Sequence, residues 1–285
     1  MGSAGDSRWL VGQDGGDRPT TTGDAMTQQV RAEISDDVAS IVLSAPETGN
    51  RIDVGFVESL VEALDVVEAH QDVRALWLRA DGQDFSQGGN MRAFHERIDD
   101  LQGAIMDLFE SFNPALERLW GLGLPSVAQV QGWCVGGALG MVSMADVVVA
   151  GNSARFRASF PGLGISNAGG STVGFASRMG ISAARRFCML NEPMSADEAL
   201  TAGLADIVVP DQDVPGRAQE LVTQLAAGPT VAYRGMRHNF GALGLSYAEA
   251  LHRENENMRF CASSQDAAEA VAAFVEKRRP VMRGR

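Results

Sequence analysis

Cysteine is scarce in this chain. The three present, Cys134, Cys188 and Cys261, are widely separated, odd in number and without a CxxC pair, so neither a disulfide framework nor a zinc site is expected. A reducing cytoplasm is the expected location. Long apolar runs are also missing, since stretches such as Ala145 to Ala150 fall far short of the roughly 20 residues of a membrane span. The first residues lack a basic start and a continuous apolar core, so no secretory signal is expected. Positive charge is in deficit. With 24 Lys and Arg against 36 Asp and Glu, the formal net charge is -12, which argues against a general nucleic-acid binder because phosphate neutralisation needs clustered cations. A local basic pocket for one phosphorylated cofactor stays compatible with that balance.

What is there suits a soluble globular protein. Apolar residues make up 45% and charged ones 21%, ordinary proportions for that class. A length of 285 residues can hold one large domain or two small ones with an adequate core. Residues 1–25 are rich in Gly, Asp and Thr and carry too few apolar side chains to repay ordering. A disordered extension is expected there, with Met26 opening the patterned region.

From Gln28 onward strand-like and helix-like segments alternate. Val38 to Leu43 is β-branched and ends at Ser44-Ala45-Pro46. Asp53 to Ala69 places apolar residues at Phe56, Val57, Leu60, Val61 and Leu64, a helical period. Strands are predicted at Ala75 to Arg79, Ser126 to Val130 and Val147 to Ala150, with helices over Ile105 to Leu119 and from Gly137 to Met144. Such alternation implies an α/β fold with crossover connections. After Pro210 only helical patterns remain, so a core over 26–210 and a helical region over 211–285 are expected.

Two glycine-rich segments follow strands: Phe85-Ser86-Gln87-Gly88-Gly89-Asn90-Met91, and Gln131-Gly132-Trp133-Cys134-Val135-Gly136-Gly137-Ala138-Leu139-Gly140. Glycines at strand ends can simply permit a turn, or they can let a ligand oxygen approach bare backbone N–H groups. Neither segment is a P-loop, because no Lys-Ser or Lys-Thr follows.

In order, flanks and spacing these segments resemble the signatures of the crotonase (enoyl-CoA hydratase/isomerase) family. Pro125 through Asp146 resembles the family's second signature. Ser44-Ala45-Pro46 with Gly49-Asn50-Arg51-Ile52 is similar to the loop bordering the CoA nucleotide. Further likenesses at Glu192 to Ala199, Gly203 to Asp206 and Ala273 to Arg278 extend the match over about nine-tenths of the chain.

The resemblance implies a spiral of βαβ units with two roughly perpendicular sheets, and a C-terminal helical region used for trimerisation, often as a dimer of trimers. It implies an acyl-CoA thioester as substrate, with coenzyme A entering only as part of that substrate and with no prosthetic group or metal. Gly89 and Gly137 would supply the two N–H donors to the thioester oxygen. CoA contacts would come from Asn50, Arg51, Ile52, Gln87 and Gly89. Arg237 falls where the family often has a Lys near a CoA phosphate, although a solvated helix-surface Arg is an equal alternative.

The sequence departs from the family where acid–base chemistry is done. The two hydratase glutamates correspond to Gly140 and Phe160, so ordinary hydration of an enoyl-CoA is not expected. Locally the pattern resembles 4-chlorobenzoyl-CoA dehalogenase, but its nucleophilic Asp corresponds to Ala168, which cannot form an ester. Phe160, Trp133 and Phe112 suggest an aromatic or bulky acyl group. Asn167, as a positioning hydrogen-bond donor, and Glu110 are the expected polar site residues, with Ser166, Asn113, His95 and Glu96 as further candidates. Asp146 is expected to be a structural hydrogen-bonding residue, and Cys134 a small buried one. Three functions stay open: an acyl-CoA enzyme with a relocated base, acting as lyase, isomerase, decarboxylase or thioester hydrolase; a non-catalytic acyl-CoA binder; and a structural or RNA-associated family member, disfavoured by the acidity.

Overall fold

The computed structural model describes residues 28–241 and 244–285. The expected extension over residues 1–25 lies outside them. The described chain begins with a hairpin, β1 (Val30–Ser35) and β2 (Val38–Leu43), paired antiparallel from Val30 opposite Leu43 to Ser35 opposite Val38. Asp36, at φ 51°, makes the tight turn between them.

Helix α1 (Val54–Ala69) starts at Asp53, whose carboxylate accepts from Phe56 N. It buries Phe56, Val57, Leu60, Leu64 and Val67 on one face. That i, i+3, i+4 spacing is the one read in the sequence, and each fully buried side chain of this size contributes about 1.5–3 kcal/mol. Strand β3 (Ala75–Ala80) follows and pairs parallel with β2.

A short helix α2 (Met91–Glu96) and the long α3 (Leu101–Gly121) cross over to β4 (Ser126–Val130), which pairs parallel with β3. Next come β5 (Trp133–Val135), α4 (Gly137–Ser143), β6 (Val147–Gly151) and β7 (Arg155–Arg157). Helix α5 (Ser171–Leu190) breaks its helical path at Gly180, at φ 73° and ψ 156°. The elements β8 (Met194–Ser195), α6 (Ala196–Ala202) and β9 (Ile207–Val209) complete the strands.

Six strands form one sheet in the order β1-β2-β3-β4-β6-β9, and β5-β7-β8 form a second. All neighbours in the large sheet after the first hairpin run parallel. The α/β architecture with two sheets is the one implied by the resemblance. One face carries the main core, including Phe56, Phe85, Phe112, Leu139 and Phe156. The other is covered by α7 (Val214–Ala226), whose Val214, Ala218 and Val222 pack with Ala75, Val127 and Val149.

Helix α7 has an apolar face complementary to the sheet and belongs to the core, so the helices detached from the sheet begin with α8 (Thr230–Phe240) and continue as α9 (Tyr247–Ala262) and α10 (Gln265–Glu276). Arg237 of α8 is neither a free surface cation nor an isolated one. It pairs with Asp146, donates to Ser126 Oγ at 3.3 Å and lies over the Trp120 ring. Asp146 also accepts from the Ser126 N–H and hydroxyl, which is the structural role expected of it. Among the described residues no helix is long and apolar enough to cross a membrane.

Candidate active site

Both glycine segments leave the carboxyl ends of adjacent parallel strands, β3 and β4, where open α/β sheets place ligands. They are zipped to one another. Phe85 N donates to Gln131 O, Ser86 N to Trp133 O, and Val135 N back to Ser86 O at 3.1 Å. Gly88, at φ 82°, abuts this seam, and a Cβ on it would lie 3.1 Å from Val135 O. The positive φ and the close approach both require glycine there.

The N–H groups of Gly88, Asn90 and Gly136 are engaged, while those of Gly89 and Gly137 are not. Ile52 N donates to Gly88 O at 2.8 Å, and Asn90 N donates to Ile52 O at 2.9 Å. Gly136 N donates to Arg157 O at 3.0 Å, and Gly137 opens α4. Among the described residues neither the Gly89 N–H nor the Gly137 N–H has a hydrogen-bond partner. Both glycines are half-buried, so this pair is open to an oxygen atom of a ligand.

The surroundings are apolar. A Cβ on Gly137 would meet only Ile52 Cδ1 at 3.3 Å and the Phe112 ring at 3.6 Å, and one on Gly89 only Met91 Cε and the Phe94 ring. The loop residue Gly169, at φ 61°, lies close by, with its Cβ position 3.8 Å from Gly137 Cα and near Phe112 and Leu116. Met91, Phe94, Leu116 and Gly169 were not singled out in the sequence. The Gly169-Gly170 pair just before a helix was the available signal.

Gly140 lies one turn beyond Gly137 in α4 and is closed off. A Cβ there would fall 2.7 Å from Gly169 O and 3.3 Å from Ser171 Cβ, so main chain fills the space a side chain would need.

The other expected residues separate by role. Asn50, almost fully buried, accepts from Ala45 N through its side chain and donates to Asp81 O and Asp84 O. Its own carbonyl accepts from the Ser86 hydroxyl, so it shapes the loop from within. Arg51 donates to Gln87 Oε1 at 2.9 Å, and Gln87 Nε2 to Asp84, which makes an exposed polar chain beside the first glycine segment. Ile52 is buried and reaches Gly137.

Asn167 Nδ2 donates to Cys188 Sγ at 3.2 Å, which holds the loop to α5. Glu110, expected near the pocket, is exposed. It lies two residues from Phe112 in α3, which puts it on the opposite face of the helix from the ring that reaches Gly137. His95 and Glu96 are exposed on α2. Of the three aromatic residues expected around an acyl group, Phe112 reaches the glycine pair, Phe160 is buried in the core and Trp133 is 38% exposed at the start of β5. Cys134 is fully buried, and burial pushes its thiol up, so it is no nucleophile.

Comparison with known proteins places this geometry in a lineage. The profile of the enoyl-CoA hydratase/isomerase family matches residues 33–285. A Rhodobacter capsulatus protein described as a probable enoyl-CoA hydratase is 30% identical over 258 residues, 90% of this chain and 98% of that protein. The 1,2-epoxyphenylacetyl-CoA isomerase of Escherichia coli is 28% identical over 91% of this chain and 100% of its own length. A solved structure from Mycobacterium abscessus, assigned to the enoyl-CoA hydratases/isomerases, superposes with a TM-score of 0.85 at 30% identity, covering 90% of this chain and all of that one. With the family profile covering all but the first residues, the chain belongs to the enoyl-CoA hydratase/isomerase (crotonase) family of acyl-CoA enzymes.

Proposed function

We propose that this protein binds an acyl-CoA thioester with the carbonyl oxygen on the Gly89 and Gly137 N–H groups, and uses them to stabilise an enolate or tetrahedral anion. The observation that carries the proposal is the pair of unbonded N–H groups of Gly89 and Gly137, set beside the engaged N–H groups of Gly88, Asn90 and Gly136. Donors fixed before the reaction need no reorganisation as charge develops on the oxygen. The apolar surroundings of Met91, Phe94, Ile52 and Phe112 strengthen that interaction by lowering the local dielectric.

The reaction is not two-carboxylate hydration, since Gly140 and Phe160 stand at both hydratase positions and the space over Gly140 holds main chain. It belongs instead to an isomerase, lyase, decarboxylase or thioester hydrolase with its base elsewhere. Asn167, on the loop carrying Gly169, acts as a hydrogen-bonding residue. The exposed Arg51 and Gln87 border the CoA moiety, and Asn50 and Ile52 hold that border in shape. Phe112 and its apolar neighbours favour a bulky or aromatic acyl group. The name of the Escherichia coli relative, 1,2-epoxyphenylacetyl-CoA isomerase, is in keeping with that. A homotrimer or dimer of trimers is the proposed assembly, and free cysteines without disulfides suit a cytoplasmic enzyme.

One observation favours a second reading. The four side chains nearest the two glycines are all apolar, as they would be in an acyl-CoA binder that has lost its chemistry. Assaying a panel of aliphatic and aromatic acyl-CoAs separates the two, because turnover supports the enzyme and tight binding without turnover supports the binder.

Gly137→Pro tests the common core. Proline is tolerated at the first position of a helix and replaces the N–H with a ring carbon. The expected result is a loss of about 10²–10³ in turnover with the fold retained. Unchanged turnover in the folded variant would sink the proposal.

A further inference from the structure

Asp53 and Asn90 are two polar side chains that the chemistry above does not use, and they meet directly behind Gly89. Asp53 Oδ2 accepts from Asn90 Nδ2 at 2.9 Å. The other oxygen, Oδ1, accepts from Phe56 N at 3.1 Å and from Gln29 Nε2 at 3.0 Å, so the carboxylate also caps α1. Asn90 Oδ1 accepts from Ala93 N at 3.3 Å and caps α2. Each side chain therefore closes a helix and holds the other.

Gly88 and Gly89 are consecutive glycines, the most pliable kind of backbone. The direction of the Gly89 N–H is set by the peptide plane between them. Two main-chain bonds to Ile52, from Gly88 O and Asn90 N, hold the ends of that segment. The Gly88 carbonyl shares the peptide plane of the Gly89 N–H, so the bond from Ile52 N holds that plane from one side. The Asn90 to Asp53 bond lies on a different residue and is anchored to α1. It braces the far end of the segment, and because the acceptor is a carboxylate it is stronger than a neutral hydrogen bond.

We infer that Asp53 and Asn90 are a positioning pair for the Gly89 N–H: neither touches the substrate, and their mutual hydrogen bond, together with the bridge to Ile52, holds the direction in which that donor points. This rests on the role proposed above for Gly89. The identity of the two residues matters, because position 90 must donate and position 53 must accept. An Asp at position 90 would set two carboxylates face to face. Exchanging both residues restores an amide-to-carboxylate bond in the reverse sense, and Asn and Asp serve equally as helix caps at either position.

The test compares wild type, Asn90→Asp, Asn90→Ala and the exchanged pair Asp53→Asn with Asn90→Asp. Each is measured for kcat and KM on an acyl-CoA turned over by wild type. Each is also measured by infrared difference spectroscopy of a bound saturated acyl-CoA carrying a ¹³C-labelled thioester carbonyl. The carbonyl frequency reads the donors directly, and a purely structural role would leave it unmoved in a folded variant. The expected result is that Asn90→Asp and Asn90→Ala lose about 10-fold or more in kcat, a fraction of the loss for deleting a donor, with KM within about 3-fold. The low carbonyl frequency of wild type should rise in both and return in the exchanged pair, with kcat restored to within about 3-fold.

Asn90→Ala removes the tether without repulsion, so it decides the matter if Asn90→Asp does not fold. Wild-type kcat and carbonyl frequency in folded Asn90→Ala would overturn the inference, as would an exchanged pair no better than Asn90→Asp. If bound wild type shows no lowering of the carbonyl frequency at all, the role of the glycine pair itself fails, and that result is distinct from the other two.

Discussion

At the scale of the residue, the proposed exclusion of two-carboxylate hydration rests most directly on Gly140. The hydratase glutamate would have to stand there, and a Cβ alone would fall 2.7 Å from the Gly169 carbonyl, which is main chain and cannot rotate aside. Gly169 is held in turn by its φ of 61° and by Phe112, Leu116 and Gly137 around it. A side chain at position 140 therefore has no room while this loop keeps its place. Gly140→Glu should consequently fail to create hydratase activity towards a short enoyl-CoA. It should also destabilise the protein by about 1–3 kcal/mol, the usual cost of overpacking. Thermal unfolding and a hydration assay together check this, and a stable Gly140→Glu variant that hydrates would show that the loop yields.

At the scale of the element, the C-terminal end is fastened by electrostatics more than by burial. The Arg278 guanidinium, together with the Val281 N–H, holds the Glu269 carboxyl of α10 down at about 2. A carboxyl held below its ordinary range adds stability above that range, and the contribution is lost as pH falls through about 2. Residues 278–281 should therefore loosen from α10 as pH drops from about 4 towards 2, and Glu269→Gln should leave them loose at neutral pH. Hydrogen exchange of the Val281 amide measures this, and equal protection in both proteins at pH 7 would refute it. The same scale shows what was legible beforehand. Long amphipathic or continuously apolar elements such as α1, α3, β4 and β6 were readable because burial repeats along them. The strands β5, β7 and β8, of two or three residues each, are too short for any period and form through pairing with distant strands. Strand β1 alternates weakly because Arg31 and Glu33 face partners on β3 and beyond it, Asp81 and Arg79. The glycine pair was legible because glycine itself is the signal. The position of Glu110 was not, because a shift of two residues around a helix reverses the face it occupies.

At the scale of the whole molecule, the C-terminal helices are unfinished as a single chain. Helix α9 buries none of its residues, and Met258, Phe260 and Leu251 are exposed on it. On α10, Phe274 is 85% and Val275 73% exposed, and Met236 and Phe240 of α8 are exposed as well. A soluble monomer rarely carries that much contiguous apolar surface. Closed symmetric assembly covers such a face by presenting the same patch on every copy. Burying one Phe or Met side chain contributes about 1.5–3 kcal/mol, and in a ring of three copies each substitution is felt at three interfaces. On the proposed assembly, Phe274→Asp combined with Met258→Asp should shift the protein from trimer or hexamer to monomer at micromolar concentration, read by sedimentation velocity. The variant also tests the core independently, because the glycine pair is built from β3, β4, α1 and α4 and not from α8 to α10. Folded monomers that still bind acyl-CoA would mark the helices as assembly elements alone. A wild-type protein that sediments as a monomer would remove the trimer from the proposal altogether.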